Sequence, residues 1–251
     1  MTIVLREIGW DARQLEGGYK AFRRHVIDEL EVLPLRLDLK VICGMTGTGK
    51  SRLIRALAAR GAQVIDLEAI AAHRGSVLGG LPEAPQPSQK AFETRLWQAL
   101  ARLDPRRPIY VESESRKIGD LRVPEPLIAA MWAAPCIVIE AETPLRVALL
   151  MDEYAHFLTD RSTLADRLSA LTTLHGRARI ARWLALVDDN RHAELVAELL
   201  ELHYDPAYRR SIGSHYAALA SAPTIAVSAH DGAAVFDRLA AQLTDEESVA
   251  A

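Results

Sequence analysis

The segment Gly44-Met45-Thr46-Gly47-Thr48-Gly49-Lys50-Ser51 fits the pattern G-x-x-x-x-G-K-[ST], and it constrains the fold more than any other stretch of the chain. At average residue frequencies the pattern arises by chance in about one per cent of chains of this length. Its setting narrows that further: residues 37–43 read as an apolar strand entering the turn, and residues 50–60 as a helix leaving it. The glycines let the backbone curl until successive N–H groups face one concavity, and the helix N-terminus adds partial positive charge. Gly44, Thr46, Gly47, Thr48, Gly49, Lys50 and Ser51 are therefore the phosphate-binding candidates. Lys50 brings a full charge to the phosphate oxygens, and the Ser51 hydroxyl is a ligand for Mg²⁺ where a substrate carries that ion. Such a loop fixes the anion and not the reaction; a kinase or nucleotide hydrolase is the ordinary alternative.

The remaining pattern predicts an α/β fold: a P-loop NTPase-like parallel sheet flanked by helices, with a helical C-terminal insertion. Further strands are expected at 63–65, 108–111, 136–139 and 224–228. Gly61 ends the helix after the P-loop. Pro87 and Ser88 open a helix with Phe92, Leu96, Leu100 and Leu103 on one face, and Thr143 caps another with Pro144 as its first residue. From about 143 the chain is helix-rich, with Leu195, Val196, Leu199 and Leu200 at core spacing. Asp231 is expected to cap a last helix ending near 243, followed by a frayed acidic tail at Asp245-Glu246-Glu247. Residues 1–33 stand apart: a helix over 4–10, a short strand at 12–15, a Gly17-Gly18 turn and a helix over 19–30 are too little to hold a core.

With 30 Lys and Arg against 33 Asp and Glu, no global basic field marks a nucleic-acid binder, so any basic face has to be local. Cys43 and Cys136 both lie in apolar runs and read as buried thiols of a reducing, cytoplasmic compartment. The longest apolar run, 127–139, contains Pro135 and is too short to span a membrane. His156, His175, His192, His203, His215 and His230 show no metal-ligand spacing, so no metal is expected beyond Mg²⁺ at Ser51.

Acids follow two of the strands. Glu112 ends the 108–111 strand, where a Mg²⁺-supporting carboxylate sits in P-loop proteins, and Glu114 alternates with it, so one of the two is expected to face the phosphates. Asp66 and Glu68 follow the 63–65 strand; Asp66 is read either as a base or ion ligand or as a helix cap. Lys50, Asp66 and Glu112 are the catalytic candidates. His73 and Arg74, in a Gly-rich segment that runs on through 77–81, and Arg116 and Lys117 at another strand end, form the candidate basic face for a second anion. Arg146 either reaches the phosphates or is a solvated helix charge.

Taken together, Leu15-Glu16-Gly17-Gly18-Tyr19-Lys20-Ala21-Phe22-Arg23, the P-loop, Asp66-Leu67-Glu68, His73-Arg74-Gly75-Ser76, Pro87-Ser88-Gln89-Lys90-Ala91-Phe92-Glu93, Glu112-Ser113-Glu114-Ser115-Arg116-Lys117-Ile118-Gly119 and Asp152-Glu153-Tyr154 resemble tRNA 2-selenouridine synthase over essentially the whole chain. That family joins an N-terminal rhodanese domain to a P-loop domain. The resemblance implies geranylation of 2-thiouridine at the tRNA wobble position from geranyl diphosphate, then replacement of the sulfur by selenium from selenophosphate. The P-loop then holds the diphosphate, and His73, Arg74, Arg116 and Lys117 contact tRNA or diphosphate. The resemblance also implies that residues 1–33 are the end of a rhodanese domain and 35–251 the P-loop domain. No cysteine precedes Cys43, so the rhodanese nucleophile has no counterpart here. The selenium step is then expected from a separate rhodanese chain, the sequence being otherwise a truncated product or one with a misplaced start. Ile3, Leu5, Ile8 and Phe22 are expected to be exposed as a partner interface. The alternatives are a non-catalytic tRNA-binding subunit and a P-loop small-molecule kinase or NTPase.

Overall fold

A computed structural model describes residues 2–76, 78–80, 84–155, 157, 160–212, 215–232 and 234–250, with the side chains of 2, 211, 212 and 246–250 left aside. His156 and part of the 77–81 segment lie outside the described residues. Five strands, β1 (Leu39–Cys43), β2 (Gln63–Ile65), β3 (Ile109–Glu112), β6 (Cys136–Ala141) and β7 (Thr224–Val227), form one parallel sheet in the order β2-β3-β1-β6-β7. Between them, β4 (Lys117–Ile118) and β5 (Leu121–Arg122) make a separate antiparallel hairpin.

Strand alternation splits the core in two. Val41, Cys43, Ile109, Val111 and Cys136 face a layer built by α2 (Gly18–Val32), α5 (Gln89–Leu100) and α6 (Glu125–Ala133). Ile42, Tyr110 and Ile139 face the opposite layer, built by α3 (Lys50–Ala59) and the final helix (Val235–Ala250). A third cluster, centred on Trp183 and Leu168, holds α8 (Arg161–Ser169), α10 (Arg177–Asp188) and α11 (His192–Leu199) together; α9 is the short turn Thr172–His175 between them. This is the helix-rich region, and α7 (Thr143–Glu153) connects it to the sheet.

Several local expectations are corrected. Residues 12–15 form no strand: α1 (Thr2–Glu7) is followed by a turn at Ile8-Gly9, and the chain runs irregularly to Gly17. With no neighbouring strand to pair with, extended propensity alone does not make one. The cap of α7 is Glu142 by position, without a side-chain bond, and Thr143 is already helical. Asp231 closes a capping box with Ser228 around a short 3-10 turn, and the last helix begins at Val235 and continues to Ala250, past 243. Phe22 packs against the α2 layer and against Trp97 with ring centroids 5.8 Å apart. Ile3 and Ile8 are exposed and Leu5 is half-buried.

Candidate active site

The P-loop curls between β1 and α3 at the carboxyl ends of the parallel strands, where open α/β sheets bind ligands. Gly44 and Gly49 are required there. Gly44 has φ 155°, and a Cβ would stand 2.6 Å from the carbonyl oxygen of Ile139 and from Thr48 Oγ1; Gly49 has φ 90°, and a Cβ would strike the Phe236 ring at 2.1 Å. The amides of Thr46, Gly47 and Gly49 find no acceptor among the described residues. The Gly44 amide donates to Tyr208 Oη at 2.8 Å. Lys50 Nζ donates to the carbonyls of Gly44 (2.9 Å) and Met45 (3.3 Å), which holds the ammonium across the loop.

Arg146 is not a solvated charge. It is 4% exposed, pairs with Asp205 through both nitrogens at 3.0 and 2.5 Å, and donates from Nε to the Thr46 carbonyl at 2.9 Å. One buried cation thereby ties the P-loop to α7 and to α12 (Asp205–Ile212). A second pair, Arg52 to Asp152 at 2.6 Å, joins α3 to α7.

The acids gather at Ser51. Its Oγ donates to Glu112 Oε2 at 3.0 Å and lies 3.2 Å from Glu68 Oε2. Glu68, Glu112 and Glu114 bring carboxylate oxygens within 4.8 Å of one another. The expectation that only one of Glu112 and Glu114 faces the phosphates is corrected: residues two apart lie on the same side of an extended chain, so Glu114 follows Glu112 to the cleft as the chain leaves β3. Asp66 spends its carboxylate on capping α4 (Leu67–Ala71), accepting the Ala69 amide at 2.8 Å, so of the two acids after β2 it is Glu68 that reaches Ser51. All three clustered carboxyls are raised well above the ordinary range, first by burial and then, for Glu68 and Glu114, by the neighbouring Glu112; Lys50 partly offsets this. Glu112 Oε1 is buried without a partner among the described residues. Three carboxylates beside an anion cradle need protons or a cation, and hard oxygens in this number suit Mg²⁺.

These groups line a cleft of about 400 Å³ with Arg74, Ser76, Tyr154, His203 and Tyr204. Arg74 donates to the Glu153 carbonyl and lies over the Tyr154 ring, 4.9 Å from its centroid. His73 sits to one side, accepting the Gly75 amide at 3.1 Å and bridging to Gly80. Arg116 and Lys117 belong to an adjoining cleft of about 320 Å³ that shares Glu114 and Ser115 with the first. There Arg116 lies 4.8 Å over the Trp132 ring, and His215 stacks on Trp132 at 4.4 Å. Tyr204 and His203 enter the site from a π-helical turn, Leu200–Tyr204, between α11 and α12. Sequence spacing gave no sign of them, because a π turn shifts the helical register without any marker residue. The two cysteines are free and buried, and burial pushes the Cys43 thiol up, which leaves it unreactive.

A five-stranded parallel sheet with a Lys-bearing Gly loop, a serine and strand-end acids defines a P-loop α/β protein. The family model of the tRNA 2-selenouridine synthase AAA domain matches residues 37–177, and the chain belongs to that family. It is similar to the tRNA 2-selenouridine synthases of Alcanivorax borkumensis (35% identical over 232 residues, 81% of this chain and 63% of that protein), Marinobacter nauticus (41% over 152 residues, 60% and 40%) and Shewanella loihica (31% over 237 residues, 83% and 62%). The chain spans less than two thirds of the length of these relatives. No helix among the described residues is long and apolar enough to cross a membrane.

Proposed function

We propose that this chain carries the diphosphate-binding half of the conversion of 2-thiouridine to 2-selenouridine at the tRNA wobble position, through a geranylated intermediate. The observation that carries the reading is the anion cradle of Thr46, Gly47 and Gly49 amides with Lys50, in a chain of this family. In geranyl transfer the C1–O bond of geranyl diphosphate breaks, the electron pair leaves with diphosphate, and the 2-thio sulfur bonds to C1 as the base loses its N3 proton. Lys50 and the loop amides stabilise charge on the departing diphosphate. Ser51 and Glu112, with Glu68 and Glu114 beside them, would hold Mg²⁺, which would neutralise part of the same charge. Arg74 contacts the diphosphate. Arg116 and Lys117, with the Trp132–His215 stack, form the tRNA face, since exposed cations beside aromatic rings suit single-stranded RNA.

In this reading residues 1–33 are the end of a rhodanese-like domain, and selenium from selenophosphate enters at a rhodanese cysteine outside this sequence. The compartment is the cytoplasm, where tRNA and reduced thiols meet. The test is to incubate the purified chain with 2-thiouridine-containing tRNA and geranyl diphosphate and to weigh the released nucleosides. A mass gain of one geranyl group supports the reading. Retained tRNA with no gain points to a non-catalytic tRNA-binding subunit. A second reading, nucleotide hydrolysis, is favoured by the Ser51–Glu112 pair, which P-loop hydrolases use for Mg²⁺; ATP turnover without tRNA would replace the first reading with this one.

A further inference from the structure

Most polar groups that line the phosphate cleft are already committed. Glu68 and Glu112 reach Ser51, with Glu114 crowded beside them, and Glu153 lies 3.8 Å from Arg55. Ser76 Oγ and Tyr154 Oη bond each other at 3.2 Å, and Tyr208 Oη accepts the Gly44 amide. Lys50 and Arg74 are cations, and burial pushes the Tyr204 phenol up to about 12, which keeps its proton on. His203 lines the same cleft and is the imidazole among these groups, the side chain best matched to proton transfer near neutral pH.

A second imidazole holds it. His203 enters from the π turn at Leu200–Tyr204, and its Nδ1 lies 3.0 Å from Nε2 of His175, the last residue of α9. His175 stands edge-on to the Trp183 ring, centroids 5.0 Å apart, and Trp183 Nε1 donates to Glu198 Oε2 at 3.1 Å, so the support is itself fixed. The pairing uses Nδ1 of His203 and leaves Nε2 without a hydrogen-bond partner among the described residues. At the other end His175 is half-buried, next to the exposed Leu174 and Gly176. Such a pair has two tautomeric arrangements. In one, His203 Nδ1–H donates to His175 Nε2, and His203 Nε2 carries a free lone pair. In the other, His175 Nε2–H donates to His203 Nδ1, and His203 Nε2 carries the proton. Uptake of a proton at His203 Nε2 with release of one at His175 Nδ1 converts the first into the second.

We infer that His203 is the general base that removes the N3 proton of the thiouridine, and that His175 is the positioning residue that passes the charge on to solvent. The inference rests on the geranyl-transfer reading above and adds where the proton goes. The 2-thio sulfur bonds to C1, and the C1–O electron pair leaves with diphosphate. As this happens the N3–H bond breaks and its proton bonds to His203 Nε2. The His203 Nδ1 proton passes to His175 Nε2, and the His175 Nδ1 proton passes to water, so no net charge stays on the pair. Burial, His175 and Arg210 of α12 hold the His203 pKa below its ordinary value of 6.5, and burial and Arg179 of α10 do the same for His175. Both rings are therefore neutral at pH 7, the state in which His203 can accept.

The experiment is single-turnover geranyl transfer by the full chain to 2-thiouridine-containing tRNA across a range of pH, with calorimetry of inorganic diphosphate binding beside it. The unsubstituted protein is expected to lose rate on an acid limb whose midpoint lies below the ordinary histidine value of about 6.5. His203→Gln is expected to slow transfer by about 10²–10⁴-fold at pH 7 and to remove that limb, with inorganic diphosphate affinity nearly unchanged. His175→Gln keeps an acceptor for His203 Nδ1–H and should transfer faster than His175→Phe, which does not; equal rates overturn the part given to His175. Should His203→Gln fail to fold, histidine-ring NMR of the unsubstituted protein decides: the His203 midpoint is expected to coincide with that of the acid limb, and a mismatch overturns the base assignment. A His203→Gln rate and pH profile equal to those of the unsubstituted protein also overturns it and leaves the geranyl-transfer reading standing. An unsubstituted chain that transfers no geranyl group overturns that reading and this assignment together.

Discussion

Lys50 and Arg146 look alike in composition and do opposite work. Lys50 is partly accessible and holds its charge over the loop mouth, whereas Arg146 is buried and spends its charge on Asp205 and on the Thr46 carbonyl. Lys50→Ala should lower transfer by about 10²–10³-fold, the scale of losing one charge-stabilising group, with an unchanged circular dichroism spectrum. Arg146→Met should act on the fold first. It leaves Asp205 as an uncompensated half-buried charge, a loss of about 3–5 kcal/mol readable in a urea titration. Restoring balance with Asp205→Leu should recover much of that stability and little of the diphosphate affinity, because the Thr46 contact stays lost. Asp66→Ala should cost about 1 kcal/mol through the lost cap of α4 and, in contrast to Glu68→Ala, leave diphosphate affinity nearly intact.

At the scale of elements, the site depends on where strands and helices stop. β3 ends at Glu112 beside the P-loop, and Glu114, two residues on, joins Glu112 and Glu68 on the same side. The π turn at 200–204 inserts Tyr204 and His203 where an unbroken α-helix would have shown a different face. The acid cluster predicts a trade between stability and function. Glu112→Gln removes one of three crowded carboxyls and keeps a polar partner for Ser51, so the thermal midpoint at pH 8.5 should rise while Mg²⁺-dependent diphosphate affinity falls. A fall in both would mean that the Ser51 bond outweighs the repulsion.

For the molecule as a whole, the same cluster sets the sign of the pH dependence. The three carboxyls are raised in the fold from an ordinary value of 4.5, Glu68 the furthest, to about 9. The native state therefore binds more protons than the unfolded chain between those limits. Their stabilising protonation is complete below about pH 4.5 and is lost as pH rises toward 9, each group weakening the fold by at most about 1.4 kcal/mol per pH unit. The thermal midpoint of the free protein should accordingly fall from pH 6 to pH 9. Saturating Mg²⁺ with diphosphate should flatten that fall, since a bound cation replaces the protons. A midpoint that rises across this range would show that the carboxyls are ionised without strain.

The P-loop, the parallel strands that flank it and the Lys50–Ser51 pair were legible in the chain, because a tight phosphate-binding turn can be written in few ways and its constraints are local: glycine where φ is positive, lysine at the helix start, an apolar strand before it. What the chain did not reveal was every partnership between distant residues. Arg146 and Asp205 lie 59 positions apart and Gly44 and Tyr208 lie 164 apart. Neither pairing leaves a periodic trace. Asp66 and Glu68 are equivalent by composition, and only the start of a helix decides which carboxylate turns inward.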